Sequence, residues 1–123
     1  MSEKSILRLT MSATVNAVEW KQLEQLMAAA RIAVPKEGDG ILIHECHYNP
    51  ETLEILFLES YANENELMKH AQAFAPVMND HKVDWKINRI ELLGNYSDEI
   101  FGMMKGMANG AEVNLYRKVF KNK

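Results

Sequence analysis

The order of elements, β-α-β-β-α-β followed by α-β, predicts an α+β fold of the ferredoxin-like type with a C-terminal αβ extension. Three observations indicate that order. Apolar residues alternate in strand-like runs, helical apolar stripes lie between them, and turn residues at 49–52 join two strands directly. A chain of 123 residues fits one domain, which we expect to consist of a core at about 4–94 and an extension at about 95–123.

The first half of the chain reads as strand, helix and strand. Residues 6–10 alternate between two faces, as a strand does. Asn16 and Glu19 have the spacing of a capping box, which predicts the start of a helix that Pro35 ends. Residues 40–48 predict the second strand. Its alternation divides it into Ile41, Ile43, Glu45 and His47 on one face and Leu42, His44, Cys46 and Tyr48 on the other.

A strand at 53–62 and the helix that follows it form the centre of the predicted fold. Asn63 and Glu66 again have capping-box spacing, and Pro76 within the helical pattern predicts a kink or a restart near Ala75. Ser97 is placed to cap a short third helix. The remaining strands are predicted at 83–93, where Trp85, Ile87, Arg89, Glu91 and Leu93 share a face, and at 112–120.

Composition and charge exclude several classes of function. The net charge is −3 and no long basic run is present, which argues against nucleic-acid binding. The basic tail at 117–123 is interpreted as a solvated end. Cys46 is the single cysteine, so we expect no internal disulfide and no cysteine-based metal site. No apolar run reaches membrane-spanning length, and we expect a cytoplasmic protein without membrane contact.

The apolar character of the strands predicts a partner. Several strands look apolar on both faces, most clearly at 53–58, whereas two helices can cover only one face of the sheet. A symmetric homodimer that packs its sheet faces together would bury the other face. We therefore expect a homodimer.

Part of the sequence resembles a known family. Glu59-x-Tyr61, a polar turn, Leu67-x-x-His70 and an Ala/Pro-containing continuation resemble the antibiotic biosynthesis monooxygenase domain family over about residues 4–94. The resemblance implies a dimeric α/β barrel. It also implies one of three activities: oxidation of an aromatic substrate, degradation of haem, or no catalysis at all. Some members oxidise quinol-like or anthrone-like aromatics without a cofactor, by removing a phenolic proton so that the substrate itself reacts with oxygen.

Other relatives degrade haem with an Asn, a Trp and a His. Here His70 stands at the position of that Trp, and residues 6–10 contain no Asn. Asp80 stands at the position of the iron-ligating His, with His81 one place out of register. Most of the haem-degrading motif is therefore missing. We expect no cofactor, and haem degradation ranks third, after an oxygenase and a non-catalytic ligand-binding or stress-response protein.

Three residues are candidates for catalysis. His70 has an ordinary pKa near neutrality and could accept a phenolic or enolic proton, although a helix histidine can also be structural. Tyr61 could donate a hydrogen bond to a substrate oxygen, or simply pack. Arg89 could hold an anionic substrate, or pair with Glu59 or Glu45 across the sheet. The expected pocket is small and apolar, and its substrate-binding residues are predicted to be Glu59, His44, Phe74 and Trp20.

The segment His44-Glu45-Cys46-His47 invites comparison with a metal site. On a strand, His44 and His47 point to opposite faces, so these two imidazoles cannot chelate one ion. His44 and Cys46 share a face, but two such ligands do not make a site. The sequence therefore predicts no metal.

Overall fold

The computed structural model describes residues 6–120, so residues 1–5 and 121–123 of the expected domain lie outside the described part. This part contains five strands and three α-helices, with a short 3₁₀ turn on each side of the first α-helix. The elements are β1 (Leu7–Val15), α1 (Trp20–Ala33), β2 (Ile41–Asn49), β3 (Glu54–Tyr61), α2 (Glu64–Asp80), β4 (Trp85–Leu93), α3 (Asp98–Met107) and β5 (Glu112–Tyr116).

The five strands form one sheet in the order β2-β3-β1-β4-β5. The neighbours are antiparallel except for β4 and β5, which are parallel. This arrangement confirms the ferredoxin-like βαββαβ fold, to which the extension adds α3 and a fifth strand at the edge. Within residues 6–120, no helix combines the length and the apolar character that crossing a membrane requires.

The core lies between one face of the sheet and the helices. Side chains from β1, β3 and β4 pack against α1, α2 and α3, which places apolar residues of every long element in contact with apolar neighbours. The main buried contributors are Leu7, Leu9, Ala13, Ile55 and Leu92 from the sheet and Leu23, Leu26, Leu67, Phe74, Ile100 and Met104 from the helices.

The other face of the sheet is not covered by helices and is largely polar. On β1 it carries Arg8, Thr10, Ser12 and Thr14, and Ser12 donates a 2.6 Å hydrogen bond to Glu54. Its large exposed apolar side chains include Leu56, Ile43, Leu93 and Tyr116. The expectation of strands that are apolar on both faces therefore holds for β3 but not for β1. The homodimer through this face stays a prediction.

A β-bulge in β2 changes which residues face the helices. Ile41 pairs with Tyr61, whereas Ile43 pairs with Ser60, so Leu42 is an extra residue between two register positions. The prediction that Ile41 and Ile43 share one face is wrong, because the bulge reverses the alternation after Leu42. As a consequence, His44 pairs with Glu59 on the helix-covered face.

A second bulge divides β4 in the same way. Ser12 pairs with Arg89 and Ala13 pairs with Ile87, which leaves Asn88 as the extra residue. Trp85 and Ile87 thus share the helix-covered face with Ile90 and Leu92, as their packing shows. The prediction that Trp85 shares one face with Arg89, Glu91 and Leu93 is wrong for this reason.

Two of the three predicted helix caps form. The Ser97 side chain accepts a 3.2 Å hydrogen bond from the Ile100 N–H, which confirms the cap of α3. The Asn63 side chain accepts a 3.0 Å hydrogen bond from the Glu66 N–H, which confirms the cap of α2. The Asn16 side chain makes no cap bond, because a 3₁₀ turn at Ala17–Glu19 comes before α1. No restart occurs at Pro76, since α2 continues to Asp80 and the Pro side of the helix is exposed to solvent.

Candidate active site

A cluster of polar side chains lies between α2 and the β2–β3 pair, at the edge of the core. His44 comes from β2, Glu59 and Tyr61 come from β3, and His70 comes from the second turn of α2. Glu37 reaches the same place from the 3₁₀ turn that follows α1. We call these five residues the polar cluster. Four separate elements are needed to assemble it, and the bulge at Leu42 supplies the orientation of His44.

Glu37 holds the ring of His70. The His70 Nδ1 atom lies 2.9 Å and 3.2 Å from the two Glu37 carboxylate oxygens. Both side chains are almost fully buried, with 10% of His70 and 6% of Glu37 exposed. In a neutral His70, Nδ1–H donates to this carboxylate and Nε2 carries the lone pair. Such a pair fixes both the tautomer and the direction of the ring.

Tyr61 holds Glu59 in the same manner. The Tyr61 hydroxyl donates a 2.5 Å hydrogen bond to Glu59 Oε1, and the second oxygen, Oε2, lies 3.9 Å from His44 Nε2. Tyr61 is 1% exposed, and its hydroxyl proton is committed to Glu59. The role expected from the sequence, a direct hydrogen bond from Tyr61 to a substrate oxygen, is therefore occupied here by a carboxylate.

An aromatic side chain closes the cluster on its apolar side. The Phe74 ring stacks on the His70 ring with centroids 5.0 Å apart and planes at 28°. His44 stands edge-on to His70, also at 5.0 Å. The centroids of His44 and Phe74 are themselves 5.8 Å apart, so the three rings form a triangle of mutual contacts.

Burial shifts the ionisation of the cluster toward neutral forms. Burial lowers the pKa of His70, and His44 lowers it further, whereas Glu59 opposes the shift. Burial raises the pKa of the Glu37 carboxyl, with His44 and Lys69 acting in the opposite direction. Burial and the neighbouring Glu59 carboxylate raise the pKa of Tyr61, which therefore stays a phenol. Shifted pKa values of this kind mark the cluster as a candidate functional site.

The structure brings together five of the seven residues predicted for the site. His70, Tyr61, Glu59, His44 and Phe74 form one group of contacts. They lie between α2 and the sheet, where the sequence predicts a small apolar pocket. A cleft of about 770 Å³ does exist elsewhere, between the start of β4 and the turn that joins α3 to β5, and no residue of the polar cluster lines it.

Arg89 and Trp20 lie away from the cluster. Arg89 pairs with Ser12 on the uncovered face of the sheet, and its Nε donates to Glu91 at 3.4 Å rather than to Glu59 or Glu45. The bulge at Asn88 is the cause, because it turns Arg89 outward. Trp20 packs on Tyr48 instead, with ring centroids 4.3 Å apart, four residues along β2 from His44.

Sequence reasoning missed Glu37. This residue lies in a glycine-containing turn, where an acidic side chain ordinarily points to solvent. No local pattern marks it, since its partner is 33 residues further along the chain. One indirect signal was available: a helix histidine on an apolar face needs a hydrogen-bond partner, and the turns beside that helix are where one can be found.

Comparisons with known proteins rest on structure alone, because no family model and no curated protein matches this sequence. MupZ from Pseudomonas fluorescens has a similar structure with a TM-score of 0.80 at 15% identity, covering 97% of this chain and 94% of MupZ. That match extends over almost the whole chain, so MupZ shares the C-terminal αβ extension as well as the core.

Two shorter proteins match most of this chain. A candidate antibiotic biosynthesis monooxygenase from Caulobacter crescentus gives a TM-score of 0.54 at 16% identity, covering 76% of this chain and 92% of its own. A second such protein, from Bacteroides thetaiotaomicron, gives a TM-score of 0.56 at 18% sequence identity. The match covers 78% of this chain and 91% of that protein. At such identities the likeness concerns the fold. The chain therefore has the fold of antibiotic biosynthesis monooxygenase-type proteins, as its resemblance to that family implied.

Proposed function

We propose that this chain is a cofactor-independent monooxygenase for a small hydrophobic aromatic of the quinol or anthrone type, with His70 as the proton acceptor. The observation that carries the proposal is the buried pair of His70 and Glu37, with Nδ1 2.9 Å from the nearer carboxylate oxygen. Proton abstraction requires a base that a neighbouring side chain holds in a fixed orientation, as Glu37 holds His70. Such bases commonly lie in sites with shifted pKa values.

The chemistry follows from the residues in contact with His70. Its Nε2 takes the proton of a phenolic or enolic oxygen, while Glu37 stabilises the imidazolium that results. The substrate anion then reacts with O₂. In an anthrone, a CH₂ group becomes a carbonyl, one oxygen atom enters the product and the other leaves as water. His44, edge-on to His70, can donate a hydrogen bond to the substrate oxyanion, and Phe74 provides an apolar surface.

A second candidate function is non-catalytic ligand binding. One observation favours it: in the described residues, every buried side-chain nitrogen or oxygen already has a hydrogen-bond partner. A network that is satisfied without a ligand can also be purely structural. The fold is compatible with both the oxygenase and the binding protein, since one fold hosts many functions.

Oxygen uptake with a panel of quinols and anthrones, measured on chelator-treated protein, tests the proposal. We expect catalysed uptake of one O₂ per anthrone, and a quinone product that retains one labelled atom when ¹⁸O₂ is supplied. A ligand that binds in calorimetry while uptake stays at the protein-free rate would contradict the oxygenase and support the binding protein.

A further inference from the structure

We propose that His44, Glu59 and His70 form a binding site for one divalent first-row transition-metal ion. Each of the three side chains offers a ligand atom, and all three atoms lie within 4.8 Å of one another. They come from β2, β3 and α2, which explains why ligand spacing on β2 alone did not indicate a site. This inference goes beyond the proposed function and does not depend on it.

The donor set selects the class of metal. Two imidazole nitrogens and one carboxylate oxygen suit zinc, iron, cobalt or nickel, whereas magnesium and calcium prefer oxygen donors alone. Three protein ligands also leave one or more positions of the ion open to water or to another ligand, as in zinc sites of the His₂Glu type. The geometry points to a site of this open kind.

The ligand atoms are close to their required separation. Two donors on a tetrahedral ion lie about 3.4 Å apart, given metal–ligand distances of about 2.1 Å. His44 Nε2 and Glu59 Oε2 are already 3.9 Å apart. The Tyr61 hydroxyl binds Oε1 of Glu59 and leaves Oε2 on the side of His44, where it can act as a ligand.

Glu37 supplies the feature that distinguishes a metal-binding histidine from a packed one. Histidines that bind metals almost always donate their other ring N–H to a carboxylate, a carbonyl or water, which fixes the tautomer. His70 has such a partner in Glu37, at Nδ1, so an ion would take Nε2. Phe74 stacks on the same ring and limits the access of water to the site.

A bound ion and a proton compete for the same lone pair of His70. The metal-loaded protein should therefore lose proton abstraction by His70, while metal-free protein retains it. The two proposals can fail separately, since metal binding is measured without substrate and oxygen uptake is measured without metal.

Titration of chelator-treated protein with Co²⁺, followed by visible absorption and by competition with Zn²⁺, tests the site. We expect one ion per chain, with affinity lowered at least tenfold in Glu59→Gln and by about 10–100-fold in Glu37→Gln, the usual effect of removing a partner of a ligand. His47→Ala is the matched control, because His47 lies on the other face of β2 and bonds to Glu45. It should bind as the wild type does.

A measurement on wild-type protein tests the same site without relying on variants, which can fail to fold. Zn²⁺ should shift the ring-nitrogen resonances of His44 and His70 and leave those of His47 and His81 in place. The proposal is overturned by wild-type protein that binds no Co²⁺ at millimolar concentration, by Zn²⁺ shifts at His47 or His81 instead, or by a Glu59→Gln variant that folds and binds with unchanged affinity.

Discussion

Replacement of His70 with alanine is expected to lower kcat/KM for the quinol or anthrone substrate by about 10²–10⁴-fold, the range over which a positioned general base accelerates a reaction. The physical reason is specific to this site. Glu37 orients His70, and burial keeps its ring neutral, so Nε2 is available as a base at neutral pH. Oxygen uptake at several substrate concentrations measures the effect.

Two control variants separate this role from general damage. His47 and Arg89 both lie on the face of the sheet that no helix covers, away from His70. His47→Ala removes an exposed histidine from that face, and Arg89→Ala removes an exposed cation. Both should keep wild-type kcat/KM. Far-UV circular dichroism must show that His70→Ala is folded. A folded His70→Ala variant that retains wild-type kcat/KM would clear His70 of the catalytic role.

Replacement of Leu92 with alanine is expected to lower the free energy of unfolding by about 2–5 kcal/mol, as deletion of a fully buried leucine side chain does. Leu92 is 0% exposed and belongs to the largest group of core residues, which joins β1, β4 and α3. The variant loses apolar burial and leaves a cavity that the surrounding helices and strands can fill only in part. Urea unfolding at fixed protein concentration gives the change.

Leu93→Ala is the matched control for that experiment. Leu93 is the next residue of β4, points to the uncovered face and is 40% exposed. Its replacement should lower the free energy of unfolding by less than about 1 kcal/mol. A larger loss in Leu93→Ala than in Leu92→Ala would show that the bulge at Asn88 does not place β4 as described.

The order of elements could be predicted from the sequence because it depends on local periodicity. Alternating runs and helical stripes mark each element, and Asn63 marks the start of α2. The faces of β2 and β4 could not be predicted in the same way. Leu42 and Asn88 look like ordinary strand residues, and a bulge shows only in how one strand pairs with its neighbour.

The same limit explains the site. His70, Glu59 and Tyr61 belong to one continuous strand–turn–helix segment. The sequence predicts all three for one site, and they lie together. Prediction of the role of Glu37 required knowledge of how the turn after α1 packs against α2. Strict alternation through Asn88 predicts that Arg89 shares a face with Trp85, and the bulge at Asn88 makes that prediction wrong.

The most direct test of the account is the ionisation and tautomer of His70 in metal-free protein, followed by ¹⁵N NMR of the ring nitrogens as pH is varied. Glu37, Glu59 and His44 all face this ring. Burial and His44 lower the pKa of His70 by more than Glu59 raises it, so the pKa should lie below the ordinary value of about 6.5. At neutral pH, Nδ1 should carry the proton and Nε2 should be bare. A pKa above 6.5, or a proton on Nε2 at neutral pH, would contradict the account.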